Sequence, residues 1–198
     1  PRERTPGGLP IGMEDDTEYL GPLGRAALGR VMAVPGTLAR TRELDEWRRL
    51  TLVHLLATED LGLISVWSPS FLTLLMEALE GELPAYLRAL PPRRARAIEA
   101  ALDTHGRLTG EALWPRLQVV SCWADGPAAR QLPALEAYFP HTPIQGKGLL
   151  ATEGVVSFPL RTEGSRGAVA AATSHFLEFM ELESPGAPPR LVHELEVG

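Results

Sequence analysis

The sequence predicts an α/β fold, a mixed sheet with flanking helices built on strand–helix crossover units. Two apolar runs carry that reading, Leu61-Gly62-Leu63-Ile64-Ser65-Val66-Trp67 and Leu117-Gln118-Val119-Val120-Ser121-Cys122-Trp123. Each passes through a short turn into a stretch of helical apolar spacing, as a strand buried on both faces does in a parallel sheet. The third observation is a change of texture past Pro140, where short β-prone runs are separated by Gly, Thr and Ser.

Each element follows from local chemistry. Apolar residues three and four apart over 20–34, closed by Pro35-Gly36, predict a first helix. A second, longer one starts after Thr41 and carries Trp47, Leu50, Leu52, Val53, Leu55 and Leu56 up to Glu59-Asp60. After the first strand run, Ser68 stands at a cap position with Pro69 at the first helical position, and the helix continues through Phe71, Leu72, Leu74, Leu75 and Leu79 to stop at Gly81. Residues 82–110 alternate helical signals with Pro84, Pro91 and Pro92; Arg93, Arg94 and Arg96 read as the solvated face of a helix ending near His105-Gly106. Asp125-Gly126-Pro127 turns the second strand into a helix through Leu132, Leu135, Tyr138 and Phe139. Short strands are then expected at 143–145, 148–151, 155–160, 168–173 and 176–182, and a last one over 191–198. The expected organisation is a single partial domain over 1–198, with a helical entry region (1–60), crossover units (61–140) and a mainly β segment (141–198).

Composition limits what the chain can do. With 198 residues and 44% apolar side chains it can bury one substantial core, which excludes a disordered tail or a disulfide-stapled miniprotein. Nineteen Lys and Arg against 25 Asp and Glu give a formal charge of -6, which disfavours nucleic acid as a partner. Cys122 is the lone cysteine, so neither an internal disulfide nor a cysteine-built zinc site is possible, and a cytoplasmic setting is expected. No apolar run reaches the roughly 20 residues that span a bilayer, so no membrane partner is expected. Oligomeric state is not legible. The start at Pro1 and the strand-like end at 191–198 are what a piece of a longer enzyme would show.

The sharpest chemical signal is Gly146-Lys147-Gly148-Leu149-Leu150-Ala151-Thr152-Glu153-Gly154, where an apolar strand breaks into a hydroxyl, a carboxylate and a glycine. At the carboxyl end of a strand in an open α/β sheet such groups face the crevice where ligands bind. Thr152 can donate to a phosphate oxygen, and Glu153 can supply the hard oxygen ligand that Mg²⁺ takes beside a nucleotide. A hairpin turn with a solvated Glu153 reads the same residues without chemistry. Gly146-Lys147-Gly148 lacks the full Gly-x4-Gly-Lys-Ser/Thr spacing of a phosphate loop. Cys122 lies in an apolar run, which points to an inert small hydrophobe rather than a thiol nucleophile. The five histidines show no i, i+3 or i, i+4 pairing for a metal, and Glu14-Asp15-Asp16-Thr17-Glu18 lacks a calcium-loop pattern.

Five segments occur in a telling order: Ile64-Ser65-Val66-Trp67-Ser68-Pro69-Ser70-Phe71, Trp114-Pro115-Arg116-Leu117, Ala124-Asp125-Gly126, Leu150-Ala151-Thr152-Glu153-Gly154 and His175-Phe176-Leu177-Glu178-Phe179. Together they resemble the Gretchen Hagen 3, or auxin-responsive promoter, family of acyl acid-amido synthetases, within the adenylate-forming superfamily. The resemblance runs from about residue 60 to 198. It implies part of the large amino-terminal domain of a ligase that activates a carboxylic acid with ATP and Mg²⁺ as acyl-AMP, then conjugates it to an amine or amino acid.

By the resemblance, the superfamily's Tyr-Gly-x-Thr-Glu motif falls on Leu149, Leu150, Ala151, Thr152 and Glu153. Thr152 then meets the α-phosphate, Glu153 holds Mg²⁺, and an apolar contact from Leu149 or Leu150 replaces the tyrosine on adenine. Ala124, Asp125 and Gly126 would line the nucleotide, and Trp67, Ser68 and Phe71 the substrate pocket. The family's phosphate loop would precede Pro1 and its Tyr-Arg-x-Gly-Asp segment would follow Gly198, so the chain alone is expected to be inactive. The rival expectation is a non-catalytic binding or scaffold domain that keeps the fold.

Overall fold

The computed structural model describes residues 3–8, 10–11, 21–151, 154–160, 168–184 and 186–196. A short hairpin, β1 (Glu3–Arg4) with β2 (Pro10–Ile11), precedes α1 (Gly21–Val31), a 3-10 turn at Gly36–Arg40 and α2 (Leu44–Ala57). Then come β3 (Leu63–Ser65), α3 (Pro69–Arg88), α4 (Pro92–His105), α5 (Gly110–Leu113) and β4 (Val119–Cys122). A 3-10 turn at Gly126–Gln131 leads into α6 (Leu132–Tyr138) and β5 (Ile144–Gly146). Six short strands follow: β6 (Leu150–Ala151), β7 (Gly154–Val155), β8 (Ser157–Pro159), β9 (Ala168–Ala170), β10 (Glu178–Phe179) and β11 (Arg190–Leu191). The acidic cluster 14–18 lies outside the described residues.

The chain divides into two compact units, Pro1–Gly62 with Leu74–Leu117 and Leu63–Thr73 with Gln118–Gly198. The first is mainly helical and carries the β1–β2 hairpin. Its core holds Leu52, Leu56, Met76, Leu79, Ile98, Leu113 and Trp114, all 1% exposed or less. Pro92 opens α4 where its missing N–H costs nothing, and Gly106, at φ 69°, closes it in the left-handed conformation that favours glycine. The Thr109 side chain accepts from the Ala112 amide at 3.3 Å and so caps α5.

Two expectations for this unit are corrected. Arg94 is not on a solvated face: it is 6% exposed, its Nε donates to the Leu56 carbonyl at 2.7 Å, and its Nη2 donates to the Leu113 carbonyl. Arg94 lies four residues before buried Ile98 and so shares its inward face, where its planar fork serves carbonyls at the ends of α2 and α5 that have no intrahelical partner. The helix expected to stop at Gly81 runs on to Arg88, with a non-helical kink at Glu82 (φ -128°, ψ 20°). Pro84, which cannot donate and whose ring crowds the preceding turn, accounts for the break.

The second unit is built on a three-stranded parallel sheet in the order β3-β4-β5. Leu63, Ile64 and Ser65 align with Val119, Val120 and Ser121, and Val120, Ser121 and Cys122 with Ile144, Gln145 and Gly146. Chain-order neighbours that pair in parallel need long crossovers, which is what the predicted strand–helix alternation supplies. The expectation that β3 is buried on both faces fails: Ile64 is buried, whereas Leu63 is 53% exposed and Ser65 faces solvent. Burial alternates because only the face carrying Ile64, Val120 and Cys122 is covered. Past β5, the expected β texture takes the form of three antiparallel pairs of two- or three-residue strands. The strand expected over 191–198 is instead β11 followed by a 3-10 turn at Val192–Glu194. The Glu194 carboxylate accepts from the Leu191 amide at 2.7 Å, a local side-chain bond that closes the 3-10 turn.

Candidate functional site at the carboxyl edge of the parallel sheet

Three loops leave the carboxyl ends of β3, β4 and β5, and backbone bonds tie them together beyond the strands. Trp123 N–H donates to the Trp67 carbonyl at 2.8 Å, and Lys147 N–H donates to the Cys122 carbonyl at 2.8 Å. Register places Ser65, Ser121 and Gln145 in one row on the same face of the sheet. At the end of that sheet the Lys147 ammonium donates to Ser65 Oγ at 2.9 Å and stands 5.3 Å from the centre of the Trp67 ring. The Trp67 and Trp123 rings lie 5.6 Å apart, tilted by 49°.

Some of the predicted nucleotide and acid residues follow these strands in the chain. Ala124, Asp125 and Gly126 follow β4, with Gly126 in the left-handed region at φ 55°. A Cβ at Gly146 would come within 3.2 Å of the Ala124 Cβ, so β5 and the Ala124 turn are in close approach. Ser68 precedes α3, and its hydroxyl shares a 2.7 Å hydrogen bond with that of Ser70. Trp67 and Phe71 are partly exposed rather than core. Leu149 and Leu150 are exposed. Thr152 and Glu153 lie outside the described residues; on either side of them, Ala151 and Gly154 are register partners in the β6–β7 pair.

Glycines set the approach of the following strands. A side chain at Gly148 would overlap the Ser157 carbonyl, and the Leu149 amide donates to Ser157 Oγ at 2.8 Å. A side chain at Gly154 would overlap the His175 ring. Ser174 Oγ, 2.6 Å from the Val155 carbonyl and 2.8 Å from the Ala171 carbonyl, has one proton to give to either. The same hydroxyl lies 3.1 Å from His175 Nδ1.

Cys122 is fully buried, and burial pushes its thiol pKa up, with the Lys147 charge opposing in part. Its environment therefore favours the thiol over the nucleophilic thiolate. Among the described residues no group of three or more His, Cys, Asp or Glu side chains could hold a metal ion. Lys147 was not among the residues sequence reasoning selected for the site. The available signal was a cation set directly after a strand run, which the incomplete phosphate-loop spacing drew attention away from.

The fold has close counterparts among solved structures. Over 76% of this chain it matches a GH3.15 acyl acid amido synthetase with a TM-score of 0.64 at 16% identity, covering 33% of that chain. The fold is that of the GH3 acyl acid amido synthetases. A second structure, the AtGH3.15 acyl acid amido synthetase in complex with 2,4-DB, matches with a TM-score of 0.62 at 16% identity, covering 76% of this chain and 31% of that one. The chain thus spans about a third of the length of the solved chains it matches. No family model matches the sequence, and no curated protein does. The α/β class and the likeness to acyl acid amido synthetases read from the sequence hold at the level of fold.

Proposed function

We propose that this chain is one partial domain of an ATP-dependent ligase that activates a small carboxylic acid as acyl-AMP and transfers the acyl group to an amine or amino acid. One observation carries the reading: within a synthetase fold, each strand of the parallel sheet ends at residues singled out for the reaction. Trp67, Ser68 and Phe71 follow β3, Ala124, Asp125 and Gly126 follow β4, and residues 149–153 follow β5. Ligands bind at such carboxyl ends in open α/β sheets.

The donor set suits the nucleotide. The Thr152 hydroxyl would meet an α-phosphate oxygen and the Glu153 carboxylate would hold Mg²⁺, as hard oxygen donors do. Bound magnesium supplies neutralisation of phosphate charge. Ala124, Asp125 and Gly126, with Leu149, Leu150 and Ala151, would line the nucleotide. Activation joins a carboxylate oxygen to the α-phosphorus and releases pyrophosphate; transfer joins the amine nitrogen to the acyl carbon and releases AMP and a proton. Both steps gather charge on oxygen, so placement and donors matter more than a protein nucleophile. The neutral thiol of Cys122 accords with that. A solved synthetase of this fold in complex with 2,4-DB supports a small organic acid as substrate. Among the described residues no helix is long and apolar enough to cross a membrane. The lone cysteine supports a cytoplasmic setting.

Spanning about a third of the synthetases' length, the chain is expected to bind nucleotide weakly and not to turn over. Calorimetric titration with AMP or ATP tests this. Binding should require Mg²⁺ and weaken about tenfold or more in Glu153→Ala, the loss of one charge-assisted contact. Absence of binding, or binding indifferent to Glu153→Ala, refutes the nucleotide site. ATP–pyrophosphate exchange by this chain alone refutes its dependence on the rest of a longer enzyme.

A further inference from the structure

We propose that the groove between the kinked end of α3 and the first two turns of α4 docks an amphipathic helix of another protein, one whose apolar stripe is flanked by Asp or Glu. The groove lies in the helical unit and shares no residue with the candidate site, so the inference stands apart from the ligase reading.

The kink supplies one wall. Leu83, Pro84, Leu87 and Arg88 all come after the break at Glu82, on the last stretch of α3. Leu90, buried in the three-residue link between the helices, also lines the groove. The other wall is α4, through Pro92, Ala95, Arg96 and Glu99, whose spacing of three and four puts them on one face. Arg94 and Ile98 occupy the opposite face and enter the core, so α4 is used on two sides. From Pro92 to Glu99 this wall runs about 10 Å, roughly two helical turns.

Shape favours a helix over a small molecule. The groove has a volume of about 490 Å³, but Pro84, Arg88, Pro92, Arg96 and Glu99 on its lining are exposed. A small-molecule pocket encloses most of its ligand, which an open trough does not. A helix needs only one apolar stripe covered, and a trough between two helices covers that much. Ala95 carries only a methyl, so a partner helix can come close to α4. A lipid surface is flat and would leave the trough unfilled.

Charge specifies the partner's flanks. Between Glu82 and Glu99 the sequence holds four arginines and no Asp or Glu, in a chain whose formal charge is -6. Arg94 turns inward, whereas Arg88, Arg93 and Arg96 are exposed, and Arg88 and Arg96 line the groove against the single acid Glu99. Among the described residues none of these three exposed arginines makes an ion pair. The first turn of α4 holds no acidic residue, although the positive end of a helix dipole favours one. Carboxylates brought by a partner would offset both the arginines and the helix end. Arginine is also the cation enriched at protein interfaces.

The test titrates the 198-residue chain into a fluorescein-labelled amphipathic peptide of roughly 15 residues, with leucines every three and four positions and glutamates beside them, and follows anisotropy. Saturable binding with a gain of helical circular dichroism is expected. The same peptide with Gln in place of Glu should bind about tenfold more weakly. Arg88→Gln and Arg96→Gln should each weaken binding of the Glu peptide about threefold, and together about tenfold. Both side chains are exposed, so these variants should keep the wild-type urea midpoint. Arg88→Glu combined with Arg96→Glu should prefer a Lys-bearing peptide, an inversion that a merely structural role would not produce. No binding of the Glu peptide, equal affinity for the Gln peptide, or an unchanged double Gln variant would overturn the proposal. So would tighter binding to phosphatidylserine vesicles than to the peptide, or self-association of the chain that the double Gln variant abolishes. Nucleotide and Mg²⁺ are absent throughout, so failure here is independent of the ligase reading.

Discussion

Replacing Arg94 probes how the helical unit is held together. Its side chain bridges two buried backbone carbonyls, Leu56 through Nε at 2.7 Å and Leu113 through Nη2, and both leucines are fully buried. Burial pushes the guanidinium pKa down, with Glu59 opposing, yet arginine stays charged near neutral pH. Hydrogen bonds from a charged donor are worth about 1.5–3 kcal/mol each, so the two together come to roughly 3–6 kcal/mol. Arg94→Ala also removes a charge whose burial is unfavourable, which brings the expected loss to about 3–5 kcal/mol. In a chain of this size that lowers Tm by roughly 6–20 °C. Arg94→Met keeps the apolar stem and should lose about 2–3 kcal/mol. Arg94→Lys should fall between wild type and Met, because a single ammonium cannot reproduce the fork. Urea unfolding followed by tryptophan fluorescence measures this, with Trp114 as a local reporter, since its indole donates to the Leu55 carbonyl at 2.9 Å. An Arg94→Ala variant within about 0.5 kcal/mol of wild type, the range of ordinary surface changes, would refute the bridging role.

Two further outcomes follow from packing and charge. Gly148→Ala forces a methyl into the Ser157 carbonyl and is expected to cost about 1–3 kcal/mol, with faster exchange of the Leu149 amide. Gly146→Ala, facing only a 3.2 Å contact with the Ala124 Cβ, should cost under about 1 kcal/mol, so equal effects at the two glycines would contradict the geometry. Cys122 should react slowly with iodoacetamide in the native protein and rapidly in urea. Since folding raises its pKa, its contribution to stability is full below the ordinary thiol range and lost as pH rises through the folded value. Urea midpoints measured across that range should fall with pH more steeply in wild type than in Cys122→Ala; equal slopes would refute the shift.

Much of the architecture was readable because it rests on local rules. The runs ending in Trp67 and Trp123 became β3 and β4, and Pro69, Pro92 and Gly106 mark helix ends where the backbone demands them. Failures occurred where a distant group intervened. Arg94 reads as surface in any window of its own helix, since its acceptors lie 38 and 19 residues away. The last strand stops at Leu191, where the Glu194 carboxylate takes the Leu191 amide and a 3-10 turn begins. The site was half legible: Trp67 was selected as a pocket wall, whereas its partners Lys147 and Ser65 were not.

The amino-acid order alone determined that two strands would be followed by helices and would therefore pair in parallel, because apolar period and turn chemistry act within a few residues. It also determined that Cys122 would sit in an apolar strand. Only tertiary structure decided which sheet face is covered, that Arg94 turns inward, and that Lys147 meets a serine 82 residues away. Those outcomes depend on strand order and register in the sheet and on helix packing around Arg94, which bring far-apart residues together in ways that no local pattern encodes.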